Sequence, residues 1–386
     1  MGRIATEKGN TRGNRHLHPE THRTKRSRAG LGERLNVSIV GCGRIGQKRL
    51  NALRECDRLV IAADNILERA QVLAQTSPGS LVTSDWQQAV THPEVDAVIV
   101  STTNDWLAPV SLSAAQAGKH VLVEKPAART PGELREVLAI AQRHSTGVWV
   151  GFNHRYHPAF QKARELCDSG ILGPLLFLRG RYGHGGRRGY EREWRADPKI
   201  SGGGELLDQG VHLIDLASWF LGDFEQVSGY THTYFWNMPV EDNAFLFLRT
   251  AHNQVAWLHA SCTEWKNLFS FEIFGRNGKL QVEGLGGSYG LERLIHYKVP
   301  PEMGPPEPTI WEFPGDDLSW QREFNAFAES IRSGVPAEKS LHHALATLEI
   351  VHTVYQTRRP TEFCSTASEQ GHPPRSSCAA IVSHPL

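Results

Sequence analysis

The sequence predicts an α/β protein whose first half folds as a doubly wound parallel sheet. Between residues 35 and 144, short apolar runs typical of buried strands alternate with segments whose apolar residues recur at helical spacing. This alternation is the pattern of parallel strands joined by crossover helices. The chain is also 386 residues long, which exceeds the size that one hydrophobic core usually serves. We therefore expect a second domain after the first.

Each element is predicted from its own periodicity. Strands are predicted at residues 35–40, 59–63, 97–101 and 120–123, and helices at 44–54, 68–75, 107–117 and 131–144. In the second half, apolar or alternating runs are separated by Asn-Gln and Asn-Gly turns, which predicts antiparallel strands at 245–248, 255–259, 269–274 and 279–282. The proline-rich stretch 298–314 is predicted to be an extended loop, and helices are predicted at 320–333 and 341–356.

The composition predicts where the two domains begin and end and in which compartment the protein works. Residues 1–34 and 361–386 are predicted to be disordered tails, which leaves domains at 35–155 and 156–360. The 42 Lys and Arg residues nearly balance the 41 Asp and Glu residues, so no general attraction to nucleic acid or acidic membranes is expected. The six cysteines lack the close pairs of zinc sites or disulfide frameworks, and no apolar run approaches the roughly 20 residues of a membrane span. We expect a cytoplasmic protein without a metal.

A glycine motif follows the first predicted strand. Gly41, Gly43 and Gly46, with Arg44 and Ile45 among them, form a GxGxxG pattern between a strand and a helix. The three glycines permit a tight turn, the close approach of a pyrophosphate, and tight packing of helix on strand. The phosphates would then lie at the helix N-terminus. The motif therefore predicts a dinucleotide site.

Asp64 follows the second predicted strand, where a carboxylate accepts hydrogen bonds from both hydroxyls of the adenosine ribose. Because this carboxylate would repel a 2′-phosphate, the sequence favours NAD over NADP. Arg69 nearby keeps NADP as the second candidate. The alternative interpretation of Asp64 is a helix-capping residue.

Lys125 follows the last of the predicted strands in the first half, in the run VLVEKP. Ligands of open α/β sheets bind beyond the carboxyl ends of the strands, so Lys125 is expected to face the cofactor. Pro126 disfavours helical geometry at the residue before it, which keeps Lys125 extended and permits a cis bond. The alternative is an ordinary surface lysine.

A second candidate cluster lies in the predicted helix 206–221. Asp208, His212 and Asp215 are four and three residues apart, so they are expected to project from one face, while the other positions are apolar. Three glycines precede the helix at 202–204 and allow close backbone approach. The alternative is an amphipathic helix with an ordinary polar stripe.

These motifs together resemble the Gfo/Idh/MocA family of oxidoreductases. The resemblance rests on AGKHVLVEKP at 117–126, GFNHRYHP at 151–158 and GGGELLDQGVHLID at 202–215, within a span from about 36 to 360. It implies a Rossmann domain, a second α/β domain built on a large open, mainly antiparallel sheet, and homodimers or homotetramers. It also implies hydride transfer between NAD and a secondary hydroxyl of a sugar, a sugar derivative or a cyclic polyol. In the loop after the predicted strand 97–101, this sequence has Thr103 and Leu107 where the family often has Pro and His.

The resemblance adds further site residues. It implies that the cofactor also contacts Thr102, Asn104, Glu124, Lys125, Asn153 and Arg155, and that the substrate contacts Lys125, Arg155, Trp194, Arg195, Asp208 and His212. One group must take the hydroxyl proton during oxidation. His212 has a suitable pKa, with Asp208 expected to orient its imidazole. Lys125 is the alternative base, because burial beside oxidised nicotinamide would depress its pKa.

Other interpretations remain open at this point. The arginines of segment 179–195 could cover the site and bind a phosphate or carboxylate, as in a sugar nucleotide or uronic acid, or they could be solvated loop residues. Some relatives use NAD transiently to oxidise a sugar and eliminate its glycosidic substituent, so an NAD-dependent glycosidase is an alternative. A non-catalytic nicotinamide-binding regulatory protein is a second alternative, because fold does not determine function.

Overall fold

The structure, a computed structural model, describes residues 34–334 and 338–357. The predicted tails, 1–34 and 361–386, lie outside the described residues except for Arg34. The described chain forms a six-stranded sheet and an eight-stranded sheet. Among these residues, no helix has both the length and the apolar composition needed to cross a membrane.

The six-stranded sheet confirms the predicted doubly wound fold. All its strands are parallel, in the order β3-β2-β1-β4-β5-β6. They are β1 Asn36–Val40, β2 Arg58–Ala63, β3 Leu81–Thr83, β4 Ala97–Val100, β5 His120–Glu124 and β6 Val148–Gly151. The helices are α1 Arg44–Asn51, α2 Leu67–Gln75, α3 Trp86–Thr91, α4 Asn104–Gln116 and α5 Pro131–His144. The strand order reverses between β1 and β4, which creates a crevice for a ligand at their carboxyl ends.

Sequence analysis missed three elements of this domain. The edge strand β3 is largely exposed and has only three residues, so it carries no apolar run. Helix α3 has six residues and strand β6 four, both too short for a clear periodicity. Short elements are therefore determined here by pairing and packing with their neighbours.

The eight-stranded sheet is mainly antiparallel, in the order β14-β13-β12-β11-β7-β10-β9-β8. Only the pair β7 and β10 is parallel within this described sheet. Its strands are β7 Leu175–Gly183, β8 Gln226–His232, β9 Asn243–Arg249, β10 Val255–Ser261, β11 Leu268–Gly275, β12 Gly278–Glu283, β13 Glu292–Lys298 and β14 Pro308–Phe313. Helices α6 Pro158–Asp168, α7 Pro198–Ser201 and α8 Val211–Leu221 also belong to this half of the chain. Both α6 and α8 pack against the sheet.

The prediction of an extended loop at 298–314 was wrong in its last third. Strand β14 pairs with β13 from Tyr297↔Pro308 to Glu292↔Phe313. Proline lacks a backbone N–H and is tolerated at the first residue of an edge strand, which is where Pro308 lies. The proline content was therefore compatible with a strand that pairs on one side.

The predicted continuous α-helix 206–221 was also corrected. Its first turn, Leu206–Gly210, is a π-helix, and the α-helix proper is α8. A π-turn inserts one extra residue and shifts the directions of the side chains before it relative to those after it. Asp208 lies in this turn and therefore departs from the common face expected with His212 and Asp215.

The last two helices join the two sheets. They are α9 Ser319–Ser333 and α10 Glu338–Thr357. Phe324 and Phe327 of α9 lie in one core with residues of β1, β2 and β4, so α9 covers the first sheet. Helix α10 packs against α8 and also against α5. The 35–155 and 156–360 domain bounds remain a prediction, because these contacts cross them.

Candidate active site

The glycine motif lies in the loop between β1 and α1, at the point where the strand order reverses. A Cβ atom on Gly41, whose φ is 94°, would lie 2.5 Å from the carbonyl oxygen of Ser101, and one on Gly46 would lie 2.2 Å from that of Gly41. A Cβ on Gly43 would meet no atom of the described residues within 4 Å. Gly41 and Gly46 are therefore required because a side chain at either position would collide with the backbone, whereas Gly43 borders open space.

The start of α1 fits a phosphate in that space. Gly43 is the N-cap of α1, and no acidic residue lies in the first turn. Free N–H groups at a helix N-terminus attract anions. Arg44 is exposed and Ile45 half-buried at the same turn. The open cradle and the helix end together fit the pyrophosphate of a dinucleotide.

Asp64 lies directly after β2 and braces the glycine loop. Its Oδ2 accepts a hydrogen bond from the backbone N–H of Cys42 at 2.7 Å, and its Oδ1 accepts one from the N–H of Ile66 at 2.9 Å. The N-cap of α2 is Ile66, so Asp64 is not the capping residue that the alternative interpretation assumed. The side chain of Arg69 is exposed on α2.

The loop between β4 and α4 lies on the other side of the crevice. Thr102 Oγ1 donates a hydrogen bond to the carbonyl oxygen of Thr103 at 3.1 Å. Asn104 begins α4, three residues earlier than predicted, and its Nδ2 donates to the carbonyl oxygen of Ser201 at 2.8 Å. Because Ser201 ends α7, Asn104 ties this loop to the second half of the chain.

Lys125 reaches directly across to the second half of the chain. It follows β5, and the Lys125–Pro126 peptide bond is cis. Its Nζ donates hydrogen bonds to the backbone carbonyl oxygen of Asp208 at 2.8 Å and to Asp208 Oδ1 at 2.5 Å. The two motifs that sequence analysis singled out therefore meet at one ion pair.

Arg195 completes the surroundings of Asp208. Its Nε donates to Asp208 Oδ2 at 3.1 Å, and its guanidinium lies 4.5 Å from the ring centroid of Trp194. Burial by itself would raise the pKa of Asp208, but the charges of Lys125 and Arg195 outweigh it and hold that pKa below its usual value. Asp208 is thus a permanent carboxylate that holds the ammonium group of Lys125 in place.

His212 is buried beside this ion pair, at 5% exposure. Burial, followed by the charge of Lys125, lowers the pKa of His212 well below its usual value, so the imidazole is neutral at pH 7. Both carboxylate oxygens of Asp208 bond to Lys125 and Arg195, and His212 Nδ1 has no hydrogen-bond partner among the described residues. The expected hydrogen bond from the imidazole N–H of His212 to Asp208 is therefore not formed in this structure.

A residue that sequence analysis missed holds His212 instead. The ring of His154 stacks on that of His212, with centroids 3.8 Å apart and an angle of 17° between the planes. His154 lies in the short 3₁₀-helix Asn153–Tyr156, 58 residues before His212 in the chain. No spacing rule connects two residues so far apart, although the match of 151–158 to the family motif did mark the segment.

Three residues assigned to the cofactor bind other protein groups. Glu124 accepts a hydrogen bond from Arg49 Nε at 2.6 Å. Arg155 forms a bidentate pair with Asp215, with both distances 2.7 Å. Asn153 Nδ2 donates to Ser319 Oγ at 2.9 Å. Their contacts with a cofactor remain predictions.

The arginine segment 179–195 is not a free loop throughout. Arg179 lies in β7 and pairs with Glu272 at 2.8 Å. Arg187 pairs with Glu193 at 2.5 Å. The first residues of the segment therefore belong to a sheet, and Arg195 faces inward to Asp208. A cover over the site and solvated loop arginines both remain predictions for the rest of the segment.

A cavity opens beside the Lys125–Asp208 pair. It lies between the start of α4, the segment 190–208 and the loop that joins β8 and β9. Its lining residues are Asn104, Tyr190, Trp194, Arg195, Ser201, Gly203, Gly204, Glu205, Asp208, Met238 and Val240. The enclosed space is about 10 Å³, which admits a group the size of one water molecule or one hydroxyl, and such a group would contact Asp208 and Arg195 directly.

Comparison with known proteins identifies the family of the chain. Residues 35–152 match the model of an oxidoreductase family with an NAD-binding Rossmann fold, and residues 160–281 match the GFO/IDH/MocA C-terminal domain. The chain belongs to the GFO/IDH/MocA family and is an oxidoreductase.

Among named relatives, the chain is 26% identical to levoglucosan dehydrogenase of Pseudarthrobacter phenanthrenivorans over 294 residues, 64% of this chain and 73% of that protein. It is 32% identical to D-glucoside 3-dehydrogenase of Escherichia coli over 194 residues, 49% of this chain and 54% of that protein. The chain thus matches about half the length of the second relative.

Solved structures share the fold. A levoglucosan dehydrogenase in complex with NADH and levoglucosan has a TM-score of 0.75 at 23% identity, covering 84% of this chain and 96% of the other. A 3-ketoreductase from Actinomadura kijaniata in complex with NADP has a TM-score of 0.72 at 21% identity, and the match covers 83% of this chain and 97% of the other. Nicotinamide cofactors of both kinds therefore bind to proteins of this fold.

The open space at Gly43 gives a direct test of cofactor binding. We expect Gly43→Ala to fold normally, with a melting temperature within about 2 °C of the wild type, because its Cβ would meet no atom of the part of the chain that the structure describes. The same Cβ would crowd the pyrophosphate, so NADH should bind at least about tenfold more weakly. NADH fluorescence titration and thermal melting measure both.

Two glycine variants control this experiment. Gly304→Ala also places its Cβ in open space among the described residues, but in the loop between β13 and β14. It should change neither the melting temperature nor the affinity for NADH. Gly46→Ala should lower the melting temperature, because its Cβ would collide with the Gly41 carbonyl. Unchanged NADH affinity in Gly43→Ala would contradict the assignment of the cofactor cradle.

Proposed function

We propose that this chain works in the cytoplasm as an NAD-dependent oxidoreductase. It would transfer a hydride between nicotinamide and a secondary hydroxyl of a sugar, a sugar derivative or a cyclic polyol. The observation that carries the proposal is the Lys125–Asp208 ion pair beside the cavity, with the neutral His212 next to it. The named relatives, which act on levoglucosan and D-glucosides, support this substrate class. Cys42, Cys167 and Cys262 are free thiols, which fits a reducing compartment.

The cofactor, held by the glycine loop and Asp64, supplies the nicotinamide that accepts or donates the hydride. The protein handles the hydroxyl group. The ammonium group of Lys125 hydrogen-bonds the substrate oxygen and stabilises the negative charge that develops there. Asp208 fixes the position of that ammonium group through two hydrogen bonds from Nζ, one to its backbone and one to its side chain.

His212 is the proposed proton acceptor, with Lys125 as the alternative. The imidazole must be neutral to accept the hydroxyl proton. Because burial lowers the pKa of His212 below its usual value of 6.5, the neutral form persists to lower pH than in a solvated histidine. The stacked ring of His154 keeps the imidazole oriented.

Activity assays test the proposed reaction. With NAD and a panel of levoglucosan, methyl D-glucoside, D-glucose and myo-inositol, we expect NADH to accumulate with at least one substrate. Lys125→Met and His212→Asn should each reduce kcat by roughly 10²–10⁴-fold. If His212 is the base, the acid limb of the wild-type rate profile should lie below pH 6.5 and disappear in His212→Asn.

Lys162→Met is a matched control, since Lys162 lies on α6 and pairs with Glu165 on the same helix. It should retain full activity. Release of sugar from a glycoside without net NADH would instead identify an NAD-dependent glycosidase. Cofactor binding without any turnover would identify a regulatory protein.

The cofactor is proposed to be NAD. Asp64 supports this choice, because a carboxylate at the end of β2 repels a 2′-phosphate. We expect NADH to bind at least about tenfold more tightly than NADPH, and Asp64→Ser to reduce this ratio. Fluorescence titration with both cofactors measures it, with the exposed Glu94→Gln as the control. Tighter binding of NADPH by the wild type would overturn the choice.

We also propose a homodimer or homotetramer formed through the open face of the second sheet. Trp257 and Phe247 lie opposite each other on β10 and β9 and are 44% and 48% exposed, whereas their strand neighbours Leu258 and Leu246 are buried. An exposed aromatic pair on a flat sheet face is typical of a protein interface.

Light scattering after size-exclusion chromatography tests this interface. The wild type should have the mass of two or four chains, and Trp257→Glu should shift it toward one chain, because the charge would be buried without a partner. Val72→Glu, at a residue 55% exposed on α2, should leave the mass unchanged. A monomeric wild type would disprove the proposal.

A further inference from the structure

Glu205 is a buried carboxylate in the wall of the cavity, and the proposed mechanism gives it no role. It lies directly before the π-turn that carries Asp208, and its exposed fraction is 1%. Both residues line the same cavity. Carboxylates are almost never fully buried unless they have partners, so the partners of Glu205 indicate what it does.

Among the described residues, only one of the two carboxylate oxygens of Glu205 has a hydrogen-bond partner. Glu205 Oε1 accepts a hydrogen bond from the hydroxyl of Tyr190 at 2.8 Å, and His184 Nε2 lies 3.6 Å from the same oxygen. His184 Nδ1 accepts the backbone N–H of Gly186 at 3.0 Å, so the neutral ring carries its hydrogen on Nε2, toward Glu205. Glu205 Oε2 has no hydrogen-bond partner among the described residues.

The backbone around Glu205 is held firmly. The carboxylate of Glu241 accepts hydrogen bonds from the backbone N–H groups of Gly204 and Leu206, both at 3.1 Å, and from the hydroxyl of Tyr355 at 2.7 Å. A Cβ on Gly204 would lie 2.0 Å from the Glu241 carbonyl oxygen, so the chain passes as close as glycine allows. Glu205 is thus fixed in place rather than free to turn toward solvent.

An unpaired buried oxygen is costly, at about 1–3 kcal/mol, and folded proteins rarely keep one without a reason. A hydrogen-bond donor on a bound molecule would remove this cost. The cations near the cavity do not serve this purpose, because Lys125 and Arg195 both bond to Asp208. The thiol of Cys262 also lies within hydrogen-bonding range of the Glu205 carboxylate, and burial, followed by the charge of Glu205, raises the pKa of this thiol, so it stays neutral.

We propose that Glu205 determines substrate specificity: its free Oε2 accepts a hydrogen bond from a hydroxyl or amino group of the sugar, away from the oxidised carbon. The same negative charge excludes substrates with a carboxylate or phosphate at that position. This inference rests on the proposed function and narrows it from sugars in general to neutral or amino sugars. It also argues against the uronic acids and phosphate-bearing sugars that the arginines of segment 179–195 suggested as ligands.

Glu205→Gln is the informative variant. Its amide oxygen can still accept the Tyr190 hydroxyl, while its NH₂ group replaces the free acceptor with a donor. For D-glucose we expect an increase in KM of at least about tenfold with little change in kcat, because the contact is remote from the reacting carbon. For D-glucuronate the variant should gain activity relative to D-glucose. A residue that only supported the fold would not invert this preference.

2-Amino-2-deoxy-D-glucose separates the two donor types. A larger loss for the amino sugar than for D-glucose in Glu205→Gln would identify an ammonium donor, and a larger loss for D-glucose would identify a hydroxyl. Glu191→Gln is the matched control, because this carboxylate lies in the same segment and faces Arg192 at 3.6 Å. Calorimetric titration of each sugar into the NADH-loaded enzyme, together with thermal melting, gives a readout independent of turnover.

The outcomes distinguish this inference from the proposed function. A wild type that neither oxidises nor binds any of these sugars contradicts the proposed function, and the inference about Glu205 falls with it. A wild type that oxidises D-glucose, with Glu205→Gln showing the same KM and the same preference over D-glucuronate, contradicts only the inference. Tyr190→Phe should retain the wild-type preference, because it leaves Oε2 unchanged.

Discussion

The ion pair between Lys125 and Asp208 is the constraint on which the site depends. It joins the end of a strand in the parallel sheet to the first turn of a helix in the other half of the chain, across 83 residues of sequence. Because Asp208 accepts both a side-chain and a main-chain hydrogen bond from one ammonium group, the two halves are aligned at a single point. The proposed hydride transfer requires such alignment, because cofactor and substrate must be held in a fixed position relative to each other.

Buried charges elsewhere serve the same alignment. Arg49 of α1 lies between Glu124, at the end of β5, and Glu323 of α9, with salt-bridge distances of 2.5 and 2.7 Å. Burial raises the pKa of Glu323 to about 7, although Arg49 opposes the shift. Glu124 directly precedes Lys125, so α9 supports the strand end that positions the lysine. Buried ion pairs of this kind contribute to a specific arrangement more than to stability.

The local patterns of the sequence predicted much of the fold and part of the site. The strand and helix alternation identified the doubly wound sheet, and GxGxxG identified the loop at its switch point. The motifs around Lys125 and Asp208 named both members of the ion pair. The π-turn at 206–210, the strand at Pro308–Phe313 and the short edge strand Leu81–Thr83 were not predicted. Each depends on pairing or packing with distant residues, to which local periodicity does not respond.

The sequence by itself determined which segments form most strands and helices, and which functional side chains lie at the ends of these elements. Both depend on side chains only a few residues apart. Only the tertiary structure decided the partners. It set His154 against His212, gave both oxygens of Asp208 to cations, and left one oxygen of Glu205 without a hydrogen-bond partner among the described residues. The physical reason is that such contacts depend on strand order and on helix packing. These bring residues tens of positions apart within hydrogen-bonding distance.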